Sequence, residues 1–292
     1  PMITSRGCPF DCTFCSIGLH MGKRFRVHSV SNVLEHIGLL VNKYGVRHIS
    51  FEDDNLTLNR SRFDKLLEGL LERQFGITWD TPNGVRADLL SHEQILKSKE
   101  AGCTHLTIGI ESGRQSTLDK IIRKKLNLKD VEDTARICKK IALDLVAFFI
   151  IGFPAETIED IQATLDYALG LEEKYDVSPI VQVLKPLIGT EVYKEALKDG
   201  CLISDVTAQT MPSSITGGGL IETDNFARAD IISLAKGFSW RHRWLRIKKI
   251  MKFMLKHPKA IAHLISDLGH STNRRRTLGN DLFFLNCLLR NF

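Results

Sequence analysis

The chain has 292 residues, 43% of them apolar and 25% charged, enough to bury a large core and too apolar for a disordered segment. Its formal net charge of +6 is uneven: from Lys236 onward thirteen Lys/Arg face two Asp/Glu, a surplus of eleven that leaves residues 1–235 at −5. With no apolar run of about 18 residues and no signal-peptide pattern, the sequence excludes a spanning helix and is expected to be cytoplasmic.

In chain order, "MITS" (2–5) is predicted to be the first strand, and it leads directly into "RGCPFDCTFCS", which carries Cys8, Cys12 and Cys15. A helical pattern from Ser31 to Gly45 follows, then the apolar runs "VRHISF" (46–51) and "ITWD" (77–80). Ser91 and Gln94 have the spacing of a capping box for the next helix, which Gly102 ends. Further strands are expected at "HLTIGI" (105–110), "LVAFFII" (145–151) and "IVQVL" (180–184), with helix-start signals at Asn127/Asp130 and Thr157/Asp160 between them. Strands alternating with helices mean parallel β/α units, and six of them before residue 200 suit either an open doubly wound sheet or a barrel-like one. No GxGxxG follows any strand, which weighs against dinucleotide binding.

In parallel β/α folds the site forms from loops at the carboxyl ends of the strands. Those positions hold the cysteines, "EDDN" (52–55), "PNGVR" (82–86), "ESG" (111–113), "GFPAET" (152–157) and "KPLIGT" (185–190). After residue 200 the alternation stops, "ITGGG" (215–219) looks like a joint, and 227–266 is predicted helical. There Trp240, Trp244, Ile247, Met251 and Met254 form one apolar stripe, while Lys248, Lys252, Lys256 and Lys259 line another face. The expected division is a core of residues 1–200 and a basic, mainly helical extension of residues 201–292.

Cys103, Cys138, Cys201 and Cys287 are scattered singly, as small core residues are, so the seven cysteines do not form a disulfide framework. The close-set trio is better explained by metal. Three thiolates on one tight loop suit an iron-sulfur cluster with one iron left open, or a zinc site completed by His20 or His28.

The motif "CPFDCTFC" resembles the CxxxCxΦC signature of the radical S-adenosylmethionine (SAM) superfamily, with Phe14 as the aromatic before the third cysteine. "ISFEDDNLT", "TPNGVRADLL", "AGCTHLTIGIESG", "FFIIGFPAETIEDI" and "GTEVY" resemble, in order, the strand-end motifs of its subgroup often fused to a cobalamin-binding domain. That subgroup includes anaerobic magnesium-protoporphyrin ester cyclases and several methyltransferases.

The resemblance implies a partial (β/α)6 TIM-like barrel with a C-terminal helical appendage, and a [4Fe-4S] cluster on Cys8, Cys12 and Cys15 that cleaves SAM reductively to a 5′-deoxyadenosyl radical. It places SAM against Phe14, Asp53, Asp54, Glu111, Ser112, Ile150, Gly152, Glu156 and Leu184, with Arg86 as a partner for a carboxylate of SAM or substrate. It also implies a small-molecule or lipid-like substrate and an electron donor such as flavodoxin or ferredoxin. The chain departs from the pattern where Asp53 and Asp54 stand for a Gly-Gly-Glu type motif and Phe148 for a strand glycine.

The cobalamin signature is not in these residues, so cobalamin is expected through a domain upstream of Pro1, serving methylation or cyclisation. The basic helix has three readings: packing on the barrel, peripheral membrane contact, or holding an anionic or RNA substrate. No RNA-binding barrel follows residue 200, so nucleic acid is not the expected partner. The rival of another class is a non-catalytic zinc module on the three cysteines and His20 with a nucleic-acid-binding tail.

Overall fold

A computed structural model describes residues 1–210 and 219–256, side chains 253, 254 and 256 excepted. Its elements are β1 (Ser5–Arg6), α1 (Ile17–His20), β2 (Arg26–Val27), α2 (Val30–Tyr44), β3 (His48–Ser50), α3 (Arg60–Arg73), β4 (Thr78–Asp80), α4 (His92–Glu100) and β5 (Cys103–Glu111). They continue with α5 (Gln115–Thr117), α6 (Leu128–Lys140), β6 (Asp144–Ile151), α7 (Ile158–Tyr175), β7 (Ser178–Val183), α8 (Glu191–Lys198) and α9 (Arg228–Lys256). A π-helical turn, Leu118–Ile122, follows α5. The chain divides into two compact units, Pro1–Gly237 and one that starts at Phe238.

β3 to β7 form one parallel sheet in sequential order. The chain start joins the β3 edge through a parallel bridge of Met2 to Phe51, with Met2 N donating to Ser50 O at 2.8 Å and Glu52 N to Met2 O at 2.8 Å. Six strand positions thus follow one another without a reversal. A doubly wound sheet reverses its order at a switch point, so this is the wall of a partial barrel. The expected first strand differs in detail: Ser5 and Arg6 leave the sheet to pair antiparallel with Val27 and Arg26. That short ribbon brackets the cysteine segment, and no hydrophobic periodicity marks it in the sequence.

β6 shows how the wall is built. Leu145, Ala147, Phe149 and Ile151 are buried under α6 and α7, while Val146, Phe148 and Ile150 alternate with them on the inner face and are half-buried. Trp79 is fully buried, packs edge-to-face on Phe51 with centroids 5.6 Å apart, and donates Nε1–H to Ala101 O at 2.9 Å. Both capping boxes form, Ser91 with Gln94 and Thr157 with Asp160, and Asn127 caps α6. The helix predicted from Ser31 is capped two residues earlier, by Ser29.

Among the described residues no helix is long and apolar enough to cross a membrane. In α9, Trp240, Trp244 and Met251 of the expected stripe are 66%, 47% and 55% exposed and Ile247 is half-buried, while Leu255, outside that stripe, is 82% exposed. The indole rings of Trp240 and Trp244 stack with centroids 6.3 Å apart. Residues 215–218 of "ITGGG", the Met254 and Lys256 side chains, Lys259, Cys287 and the tail lie outside the described residues.

Candidate active site

The cysteine loop is hung from three places by backbone bonds that use no sulfur. Gly7, at φ +88°, donates N–H to Asp54 Oδ2 at 2.7 Å, and Cys8 N donates to Gly22 O at 3.3 Å. A Cβ at Gly7 would lie 2.3 Å from Arg24 O, so only glycine fits. Thr13 is buried and gives N–H to Ile122 O at 3.1 Å and Oγ1–H to Ile121 O at 3.0 Å, while Val192 N donates to Thr13 O at 3.1 Å. Burial pushes the Cys12 thiol up to about 11 and raises that of Cys15. A metal cofactor bound here would have to draw out the thiolates against that burial, with release of their protons.

All three cysteines open onto a cavity of about 340 Å³, together with Phe14, Asp54 and Glu111 of the expected residues. Arg86, Gly109, Lys124 and Phe148 line it as well. Glu111 and Lys124 form a buried ion pair, Oε1 to Nζ 2.7 Å, each side chain 8% exposed. Glu111 is held at φ +76° where β5 bulges against β6, turning its carboxylate inward. A Cβ at Gly109 would stand 2.6 Å from Glu111 Oε1 and 2.9 Å from Lys124 Nζ, so glycine makes room for the pair. Lys124 has no signal in the sequence. It sits in "RKK" (123–125) after the π-helical turn, and only the tertiary fold brings it to Glu111.

The other expected residues support the walls. Asp53 is buried away from the cavity lining, where its carboxylate accepts from Thr4 N at 3.1 Å, Thr4 Oγ1 at 2.7 Å and Ser5 Oγ. Neither Asp54 nor Asn55 caps a helix, since Asn59 caps α3. Ser112 Oγ bonds Thr164 Oγ1 at 2.8 Å and accepts from Arg114 N at 3.2 Å, fixing the turn after β5 to α7. Ile150 is on the inner face of β6, and Leu184 N continues the β6 ladder to Ile151 O at 2.9 Å. Phe14 meets Phe153 edge-to-face with centroids 6.0 Å apart, joining the cysteine loop to the turn after β6. His20 is exposed at the end of α1 and is not part of the cavity lining.

Glu156 clasps that turn: Oε2 accepts from Gly152 N at 2.8 Å and Phe153 N at 2.9 Å, while Oε1 is buried without a partner. The two N–H bonds favour the carboxylate, but burial outweighs them and pushes the group up to about 8. The proton is thus held more tightly in the folded state, so this residue's stabilisation is complete below the ordinary glutamate range and is lost as pH rises toward 8. In Glu156→Gln the amide oxygen keeps both bonds. Melting midpoints measured from pH 5 to about 8 should therefore fall less in the variant than in the wild type.

A parallel half-barrel with three cysteines on its first strand-end loop, sharing a cavity with a buried carboxylate–ammonium pair, has the make-up of a metallocofactor site of the β/α-barrel class. The model of the radical SAM superfamily matches residues 2–168, and the chain belongs to that superfamily. It is 35% identical over 204 residues to an uncharacterized methyltransferase of Pyrococcus horikoshii, covering 70% of this chain and 43% of that protein. It is 26% identical over 277 residues to the anaerobic magnesium-protoporphyrin IX monomethyl ester cyclase of Cereibacter sphaeroides, covering 91% and 44%. The fold matches the radical SAM methyltransferase TsrM of Kitasatospora setae, solved with cobalamin and a [4Fe-4S] cluster, at a TM-score of 0.61 and 16% identity over 79% of this chain and 45% of that one. The chain thus spans less than half the length of each of these proteins. Membership of the superfamily replaces the zinc module on the cysteines and His20, and the cofactors are the [4Fe-4S] cluster and SAM.

The donor set fits the cluster. Three soft sulfurs on one glycine-hinged loop are the ligands such a cluster takes, and they leave one iron for another ligand.

Proposed function

We propose that the chain is the radical-generating half of a larger enzyme that methylates or cyclises a small-molecule or lipid-like substrate, with cobalamin supplied by residues outside this sequence. The observation that carries this reading is one cavity lined both by the three cysteines and by the Glu111–Lys124 pair. Cys8, Cys12 and Cys15 would hold the cluster, which would supply the electron for reductive cleavage of SAM. Glu111 and Lys124 offer a carboxylate and an ammonium, complementary to the amino and carboxylate groups of the methionine part, and Asp54 adds a second acceptor to the cavity lining. Phe14, Ile150, Gly152 and Leu184 supply apolar and backbone surface for the adenine, with Glu156 holding the turn and Asp53 and Ser112 the strand ends. A flavodoxin or ferredoxin is the proposed electron donor.

Anaerobic iron-sulfide reconstitution followed by reductant and SAM should yield a brown protein that forms 5′-deoxyadenosine. A colourless protein that leaves SAM intact ends this reading. Methylcobalamin added to the intact protein tests the finer half, since methyl transfer or ring closure should then depend on it.

The exposed ridge of α9 supports a second contact. Trp240, Trp244, Met251 and Leu255 share one face, flanked by exposed Lys248 and Lys252, the pattern of a helix lying on an anionic membrane surface. Sedimentation with phosphatidylglycerol vesicles should bring the protein down at least about fivefold more than neutral vesicles do, and Trp240→Ala/Trp244→Ala should abolish the difference. Equal sedimentation with both vesicle types removes the contact.

A further inference from the structure

Arg86 is a buried cation on the cavity wall, its side chain 7% exposed, and its Nε and Nη2 donors are taken up by protein acceptors. Nε and Nη2 donate to Asp88 Oδ1 and Oδ2 at 3.0 and 2.9 Å, a two-point fork, and Nη2 reaches Lys125 O at 3.4 Å. The guanidinium lies over the Phe10 ring, Cζ 3.9 Å from its centroid. An arginine used in this way is fixed in plane and position, as a lysine ammonium would not be.

Phe10 lies between Cys8 and Cys12, in the part of the loop with the least backbone support. Gly22 O holds Cys8 and Ile122 O holds Thr13 through main-chain bonds. Residues 9–11 are held instead through side chains: Pro9 has no N–H to give, Asp11 pairs with Lys23 at the exposed surface, and Phe10 is pinned under Arg86. The surface pair contributes little, because its charges are solvated. The Arg86–Phe10 stack is the buried restraint on this segment.

We propose that Arg86 is a positioning residue for the cluster-binding loop: Asp88 sets the guanidinium plane, the plane clamps the Phe10 ring, and the ring fixes the spacing of Cys8 and Cys12. This rests on the cysteines being cluster ligands, and it differs from the role of carboxylate partner that the sequence suggested for Arg86.

The test compares Arg86→Lys, which keeps the charge and loses the plane, with Phe10→Leu, which keeps apolar bulk and loses the ring, and with Asp88→Asn. Iron and sulfide per chain after reconstitution should fall several-fold in the first two and less in the third, and the electron paramagnetic resonance signal of the reduced cluster should broaden. Affinity for SAM of the fraction that holds a cluster should stay within twofold of wild type. In metal-free protein, iodoacetamide should alkylate Cys8 and Cys12 several-fold faster in Arg86→Lys and Phe10→Leu, as resolved by peptide mass spectrometry.

Full iron content, an unchanged resonance signal and tenfold weaker SAM binding in Arg86→Lys would make Arg86 an anion ligand and overturn the proposal. If wild-type protein takes up no cluster, the cluster reading fails by itself; the alkylation rates still decide the clamp, and unchanged rates in both variants reject it. Should Arg86→Lys fail to fold, Phe10→Leu carries the same readouts.

Discussion

Cys12→Ala should fold and still lose at least about 100-fold in affinity for the cluster, with 5′-deoxyadenosine formation at background, because a direct ligand counts for more than the supporting contacts whose loss costs 10- to 100-fold. The fold should survive because the loop is suspended by Gly7, Thr13 and Val192 through bonds in which no sulfur takes part. Iron analysis and a melting curve of the metal-free protein separate the two effects. Cys138→Ala is the matching control: its thiol is fully buried under the sheet and burial pushes it up to about 12, so it is a packing group. That variant should lose about 1 kcal/mol of stability and keep its iron. If both variants lost iron equally, the trio would not be a dedicated ligand set.

The wall of the barrel was legible in the residues because each strand carries its own apolar run and each helix its own start signal. The alternation of Leu145, Ala147, Phe149 and Ile151 with Val146, Phe148 and Ile150 specifies both faces of β6 locally. The capping boxes at Ser91 and Thr157 are likewise written within four residues. What distinguishes a barrel wall from a doubly wound sheet is strand order, which no single element encodes.

The site was legible in part for the same reason. Cys8, Cys12 and Cys15 are close in sequence, so their sharing of one cavity follows from one loop, whereas Glu111 and Lys124 meet across a bulge and a π-helical turn that no short pattern announces. Asp53 and Asp54 are adjacent in sequence and face opposite ways on an extended segment, Asp54 into the cavity and Asp53 onto Thr4 and Ser5. A doublet of like residues cannot reveal which of the two faces inward until the register with the neighbouring strand is known. Arg86 illustrates the opposite case: its residue type suggested a carboxylate, and the structure supplies one from two positions along its own turn, Asp88.

Lys124→Met should cost about 3 to 5 kcal/mol, on the order of 10 °C in melting midpoint, because it leaves the Glu111 carboxylate buried without its partner. Neither group has surface water to fall back on, each side chain being 8% exposed. Glu111 sits at φ +76°, a conformation that costs about 1 to 3 kcal/mol for a residue with a Cβ, and in wild type the ion pair is the visible compensation.

Adding Glu111→Gln to Lys124→Met removes the uncompensated charge, so the double variant should regain most of the lost stability in a thermal melt, a coupling that a cycle of the four proteins measures. SAM binding should not recover with it. If the pair serves only the fold, the double variant binds SAM as the wild type does; if the pair presents complementary charges to the methionine part, affinity stays at least about tenfold down, the loss of one charge-assisted hydrogen bond. The separation of the two curves, stability restored and binding not, is the result that assigns the pair to the cofactor.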